Sequence, residues 1–242
     1  MFTATTPEID SLAKKFPERI AHLGAILTDK TIVYMDYANV RQLSKRTGWQ
    51  IDLKKLKDMF GSFGVKKTCF YFGTYPGDDK SARFMTFVHR TGYTVHTKPV
   101  KIMRLSIDVS SVSAQSPDIL GNFINNALLK QLRVEAIEYL NAELRALNKQ
   151  GKLYLEHPKC NFDVEIASDM RVDLILNKAD NFCLWSGDSD FADPVKELLE
   201  AKKKVCIFST ARGIASELNN LKCRGLEIYD FKKLREFIEK HP

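Results

Sequence analysis

Apolar positions along this chain recur at two periods. Between residues 7 and 27, Ile9, Leu12, Ala13, Phe16, Ile20 and Leu23 fall mostly three and four apart, which predicts a helix docked by one stripe on the main body. Residues 31–35, Thr-Ile-Val-Tyr-Met, form an unbroken run of strand length that leads directly into Asp36, the pattern of a strand buried on both faces. Similar short runs predict strands at 67–72, 93–100, 182–185, 205–208 and 226–229. Helical signals predict helices at 51–60, 80–90, 161–176, 194–201 and 231–239. Strand and helix alternate almost throughout. The expected fold class is therefore α/β, with a mainly parallel central sheet and helices on both faces.

That rhythm breaks between the third strand and residue 161. Residues 106–117 are Ser-rich and read as a loop. Residues 119–147 lack Pro throughout and Gly after position 121, and place Leu120, Ile124, Leu128, Leu132, Ile137, Leu140, Leu144 and Leu147 at roughly helical spacing. One long helix or a helical hairpin is expected there, serving as a lid, a dimer contact or a partner surface. The chain is thus read as an N-terminal helical segment, 1–29, followed by one domain, 30–242, with a helical insertion at about 106–155.

Composition narrows the choices. With 242 residues and 44% hydrophobic content the chain can bury a proper core, which excludes a disordered or fibrous protein. No apolar run reaches the roughly 20 residues needed to span a bilayer. Glu8, Asp10, Lys14 and Lys15 interrupt what would be the apolar stretch of a signal peptide. The five cysteines, an odd number without a Cys-x-x-Cys pair, read as reduced thiols, and a cytoplasmic location is expected.

The net charge of +7 is unevenly spread. Residues 41–67 carry eight Lys and Arg against two Asp, whereas residues 163–193 carry eight Asp and Glu against two Lys and Arg. The first zone suits a polyanion such as nucleic acid, and the second repels one unless cations sit in it. In a parallel sheet, ligands bind at the carboxyl ends of the strands. Asp36 ends the first strand, and Asp188 with Asp190 follows the strand at 182–185, so these carboxylates converge if the two strands are neighbours. Glu165, Asp169 and Asp173 stack four apart on the preceding helix, a costly stripe that is expected to help form an oxygen-lined cation site. Oxygen ligands without a His or Cys cluster favour Mg²⁺ or Mn²⁺ over zinc, and the five histidines are scattered. The chain has no Gly-x-Gly-x-x-Gly after a strand, no Gly-Lys-Ser/Thr phosphate loop and no Gly-x-Ser-x-Gly elbow.

Three motifs carry a resemblance. Val33-Tyr-Met-Asp-Tyr-Ala-Asn39, Phe162-Asp-Val-Glu-Ile-Ala-Ser-Asp169 and Leu184-Trp-Ser-Gly-Asp-Ser-Asp-Phe191 resemble the NYN domain in its LabA-like branch, a relative of the PIN-type nucleases. The likeness covers roughly residues 30–105 and 160–235. It implies a PIN-like three-layer sandwich and, for many members, metal-dependent endoribonuclease activity with Mg²⁺ or Mn²⁺. Carried over motif by motif, the resemblance implies metal ligation by Asp36, Asp163, Asp169, Asp188 and Asp190. Catalytic roles are implied for Asp36, Asn39, Asp169, Asp188 and Asp190, with Asn39 orienting a ligand or a bound water. Arg41, Lys45, Arg46, Lys98 and Lys101 are expected to hold the phosphates of RNA, single-stranded rather than duplex, with DNA as a second possible substrate. Trp49, Tyr71 and Tyr75 are candidates for stacking on bases, although core packing competes for Tyr71. A homodimer through the insertion is a further expectation. The alternative reading is a catalytically weak nucleic-acid-binding regulator or scaffold of the same fold. Two departures from the family pattern stand out: Asp193 displaces the expected Pro by one place to Pro194, and the insertion is longer than usual.

Overall fold

The structure, a computed structural model, describes residues 2–75, 77–106, 112–113, 115–116, 118–132, 134–150, 154–210 and 213–240, without the side chains of 43, 45, 46, 104–106, 128 and 154–158. In chain order its elements are α1 (Pro7–Lys15), α2 (Pro17–Ile26), β1 (Thr31–Asp36), α3 (Tyr37–Thr47), α4 (Leu53–Ser62), β2 (Lys67–Thr74), α5 (Asp79–Arg90), β3 (Thr94–Pro99), β4 (Lys101–Ser106), α6 (Asn126–Leu129), α7 (Val134–Lys149), β5 (Tyr154–Lys159), α8 (Asp163–Ile175), β6 (Asn181–Trp185), α9 (Ala192–Glu200), β7 (Lys204–Ser209), α10 (Ser216–Asn220), β8 (Glu227–Asp230) and α11 (Arg235–Ile238). They form two compact units, Met1–Pro99 with Asn161–Pro242, and Val100–Cys160.

The larger unit is built on a six-stranded sheet in the order β3-β2-β1-β6-β7-β8, parallel at every pairing. The α/β class with a mainly parallel central sheet is thus the fold observed. Each residue of β1 is buried, as the uninterrupted apolar run requires. Its side chains alternate: Val33 and Met35 join the main core with Leu23, Ile26, Leu56, Phe60 and Trp185, while the Tyr34 hydroxyl reaches α8 on the other face.

Three local outcomes differ from the sequence pattern. The opening helix is two helices, because Pro17 has no N–H to give and holds Phe16 out of helical geometry, at φ −127° and ψ 57°. Ile9, Leu23 and Ile26 nevertheless join the main core. Helix α3 has too polar a composition for its periodicity to be read, yet Asp36 caps its N-terminus and Gly48 closes it in the left-handed region at φ 77°. The displaced Pro194 causes no difficulty, since it falls in the first turn of α9, where a backbone N–H has no intrahelical partner.

The smaller unit pairs strands that flank the helical insertion expected at about 106–155. It contains an antiparallel pair, β4 with β5, in which Met103 lies opposite His157 and Lys101 opposite Lys159. The partner strand lies some fifty residues away in sequence, so no local signal marks the pairing. The long helix is also broken: Asn125 turns its side chain onto the Ala127 N–H at 2.8 Å and starts α6, and only α7 continues. Ile119, Leu120 and Leu144 form a small core, and the buried Asn141 accepts from the Ile119 and Leu120 N–H groups at 2.9 and 2.8 Å. The Ser-rich loop expected at 106–117 lies mostly outside the described residues. Among the described residues, no helix is long and apolar enough to cross a membrane.

Packing of α8 on the sheet rests in part on a buried polar pair. The Tyr34 hydroxyl donates to Asp173 Oδ2 at 2.8 Å, and Lys178 reaches Asp173 Oδ1 at 3.0 Å. Asp173→Ala is expected to cost about 1–3 kcal/mol in urea unfolding, because it strands a buried hydroxyl. Adding Tyr34→Phe should recover part of that loss. A double variant that is less stable than the single one would show that the pair does not carry this contact.

Candidate active site

Sheet order decides which acidic residues meet. Strands β1 and β6 are direct neighbours, with Met35 beside Trp185, so Asp36 and the segment Ser186-Gly187-Asp188 leave the sheet side by side at its carboxyl end. Asp36 is 6% exposed and heavily bonded. Its Oδ1 accepts from the Ala38 and Asn39 N–H groups at 3.0 and 3.4 Å, and Oδ2 accepts from Asn39 Nδ2 at 2.7 Å. Asn39 therefore bonds both oxygens of the carboxylate. Burial raises the pKa of Asp36; the bonds from Asn39 and Ala38 oppose that rise, and the charge of Asp188 adds to it.

Asp188 is exposed and caps a 3-10 turn at Ser189–Phe191, accepting from the Asp190 N–H at 3.4 Å. Asp190 is exposed in the same turn. Gly187 is required by close approach, since a Cβ there would stand 1.8 Å from the Gly213 carbonyl oxygen. The Ala215 N–H bonds to the Gly187 carbonyl at 2.9 Å, which ties this turn to the segment that follows β7.

The fourth carboxylate comes from α8, which begins at the same end of the sheet. Asp163 is its first residue, is buried, and donates its N–H to Asn161 Oδ1 at 3.0 Å. Burial pushes its carboxyl up to about 6; a side-chain hydrogen bond with Asn161 opposes this, and the charges of Asp188, Asp36 and Asp190 add to it. Negative charge from Asp188 therefore bears on both Asp36 and Asp163.

Asp169 does not stand with them. It lies six residues along α8 from Asp163, about 9 Å down the axis. There its Oδ2 accepts from the Tyr71 hydroxyl at 2.7 Å, and His96 Nδ1 lies 3.7 Å away. The expected acidic stripe is divided in the same manner. Glu165 holds Lys98 at 2.5 Å, Asp169 holds Tyr71, and Asp173 holds Tyr34 and Lys178, so each acid finds its own partner and none is turned to a shared cation site. Sequence reading missed these partners because they come from β1, β2, β3 and the turn after α8, which meet the helix only in the fold.

Of the basic residues, Arg41 is exposed on α3 beside a cleft of 390 Å³ lined by Tyr37, Ser44 and Trp49. The Lys45 and Arg46 side chains lie outside the described residues. Lys98 sits over the Phe162 ring at 4.7 Å while bound to Glu165, and Lys101 is exposed on β4 of the smaller unit. Trp49 and Tyr71 are buried, and Tyr75 is 45% exposed.

The donor set is all carboxylate oxygen, which suits a hard divalent ion. Among the described residues, no three His, Cys, Asp or Glu side chains stand ready to hold a metal together. Mg²⁺ does not need such a cage, since it binds through one or two carboxylates and keeps several waters. The residues fit the ion in chemistry, without a preformed enclosure.

Comparison with known proteins supports the assignment drawn from the three motifs. The family model of the NYN domain matches residues 123–224, which include the second and third motifs and leave Asp36 outside. "Low amplitude and bright protein LabA" of Synechococcus elongatus is 24% identical over 220 residues, 89% of this chain and 91% of that protein. A crystal structure of a protein of unknown function from Vibrio parahaemolyticus, 18% identical, is similar with a TM-score of 0.52 over 88% of this chain and 97% of that one, a likeness of fold. The chain is thus similar to the NYN domain over residues 123–224 and to LabA over most of its length.

Two stability experiments test this geometry. The folded pKa of Asp163 exceeds its ordinary value, so its ionised form weighs against folding; that burden is full above about pH 6 and vanishes below the ordinary carboxylate range. In EDTA, Asp163→Asn should stabilise the protein by about 2 kcal/mol near pH 8, with the gain shrinking as pH falls toward 4. A gain independent of pH would point to another cause. Gly187→Ala should destabilise by about 2 kcal/mol or more, read as a lower thermal midpoint, because backbone rather than a flexible side chain occupies the space.

Proposed function

We propose that this NYN/LabA-like chain is a metal-dependent endoribonuclease that hydrolyses RNA phosphodiester bonds with Mg²⁺ or Mn²⁺ held by Asp36, Asp163, Asp188 and Asp190. The observation that carries the reading is the buried Asp36, fixed in orientation by Asn39 and facing the charge of Asp188 across adjacent strands. A divalent ion bound there would lower the pKa of a water and offset charge on the phosphate. In this reading Asp36 and Asp188 are the main ligands, and Asn39 keeps Asp36 from rotating. The exposed Asp190 accepts a hydrogen bond from the attacking water and so aims it. Arg41, with Lys45 and Arg46 on the same helix, holds flanking phosphates without reading sequence. Lys98 contributes less, because its ammonium is shared with Glu165. Asp169, bonded to Tyr71, positions α8 on the sheet rather than touching substrate.

A second reading, a nucleic-acid-binding protein of the same fold that does not cleave, draws support from the lack of three ready-placed ligands among the described residues. Incubation of the purified protein with labelled single-stranded RNA or DNA and Mn²⁺, Mg²⁺ or EDTA separates the two. The nuclease reading expects cleavage that stops in EDTA and falls about 100-fold or more in Asp36→Asn and Asp188→Asn, with Asn39→Ala losing about 10- to 100-fold. Cleavage at the wild-type rate by both aspartate variants would overturn it, and metal-independent binding without any cleavage would favour the second reading.

A further inference from the structure

Outside the acidic site, the solvent face of α5 carries an arrangement with no role in the reading above. Lys80, Arg83, Phe87 and Arg90 follow one another at three, four and three residues, so they share one face of the helix, and all four are exposed. Phe87 leaves 46% of its surface in water. Beside this face lies a cleft of 690 Å³ between α4 and α5, lined by Lys54, Arg83, Phe87 and Arg90, with Asp58 as its one acidic lining residue.

Several cations of the unit are held by a carboxylate. Lys55 is paired with Glu8, Lys98 with Glu165, Arg171 with Glu197 and Arg235 with Glu239. Among the described residues, no carboxylate pairs with Lys54, Arg83 or Arg90. Arg83 Nε donates instead to the backbone carbonyl of Asp79 at 3.3 Å. Three cations without a paired carboxylate, against the single Asp58, repel one another around the groove and favour a ligand with repeated negative charge. The exposed ring among them adds a flat apolar face, which an acidic protein surface does not need and an unpaired base can cover. A duplex offers no such free base, so the combination selects single strands.

We propose that the α4–α5 cleft binds single-stranded nucleic acid, with phosphates on Lys54, Arg83 and Arg90, a base stacked on Phe87, and Lys80 extending the track. This goes beyond the cleavage reading, since none of these residues belongs to the carboxylate site and binding here is independent of whether that site cuts.

The test is fluorescence anisotropy of the full-length protein in EDTA, with labelled uridine and thymidine oligonucleotides of about 20 residues. Arg83→Ala with Arg90→Ala should weaken binding about tenfold or more and flatten the dependence of log Kd on log salt by about 1.4, the slope of two lost phosphate contacts on a single strand. Phe87→Ala should weaken binding about tenfold with the slope unchanged. Lys202→Ala with Lys204→Ala, elsewhere on the unit, should bind as wild type. Thermal unfolding of each variant checks that these exposed substitutions leave the fold intact. Dependence of either oligonucleotide on these residues upholds the proposal, and the ratio of the two affinities states which sugar is preferred. Wild-type affinity and salt slope in the arginine variant would overturn it, as would competition by polyglutamate as effective as that by the oligonucleotides, which would mark a protein-binding surface instead.

Discussion

The candidate site depends on the parallel pairing of β1 with β6. Each strand ends in an aspartate or a short turn to one, and the register that sets Met35 beside Trp185 brings Asp36 and the Asp188 turn out of the sheet together. Carboxylates do not gather of their own accord. Here they are held by backbone hydrogen bonds of the sheet and by buried side chains on both strands, whose combined burial outweighs the local repulsion. The raised pKa values of Asp36 and Asp163 reflect that conflict: burial comes first, and neighbouring negative charge adds to it.

The same end of the molecule shows how one acidic helix is divided between two tasks. Only the first residue of α8, Asp163, joins the carboxylates at the strand ends. The three acids below it secure the helix to β1, β2 and β3 through Tyr34, Tyr71, Lys98 and Lys178. A stripe at four-residue spacing would be unfavourable on an isolated helix. It is tolerated because the sheet supplies a hydroxyl or an ammonium at each level, and the stripe then serves to fix where Asp163 stands.

Positive charge is arranged differently. Some cations of the larger unit, Lys55, Arg171 and Arg235 among them, lie against a carboxylate, where solvent-exposed pairs contribute little to stability. The cations of the α4–α5 cleft have no such partner among the described residues, and they surround an exposed phenylalanine.

Much of this was legible in the sequence. The run ending at Asp36 is a strand because nothing in it is polar enough to face water, and alternation with helical segments implies a parallel sheet. The Ser-Gly-Asp-Ser-Asp motif marked its own turn, with Gly187 demanded by an approach that excludes a side chain. What periodicity could not reveal were relations between residues distant in the chain. These include the partners that draw Asp169 away from the other aspartates, the pairing of β4 with β5, and the cleft that joins Lys54 to Arg83 and Arg90. Local pattern determines which face of an element is buried; only the packing of elements decides which charge lies beside which, because Coulomb and hydrogen-bond energies depend on distance in space and not along the chain.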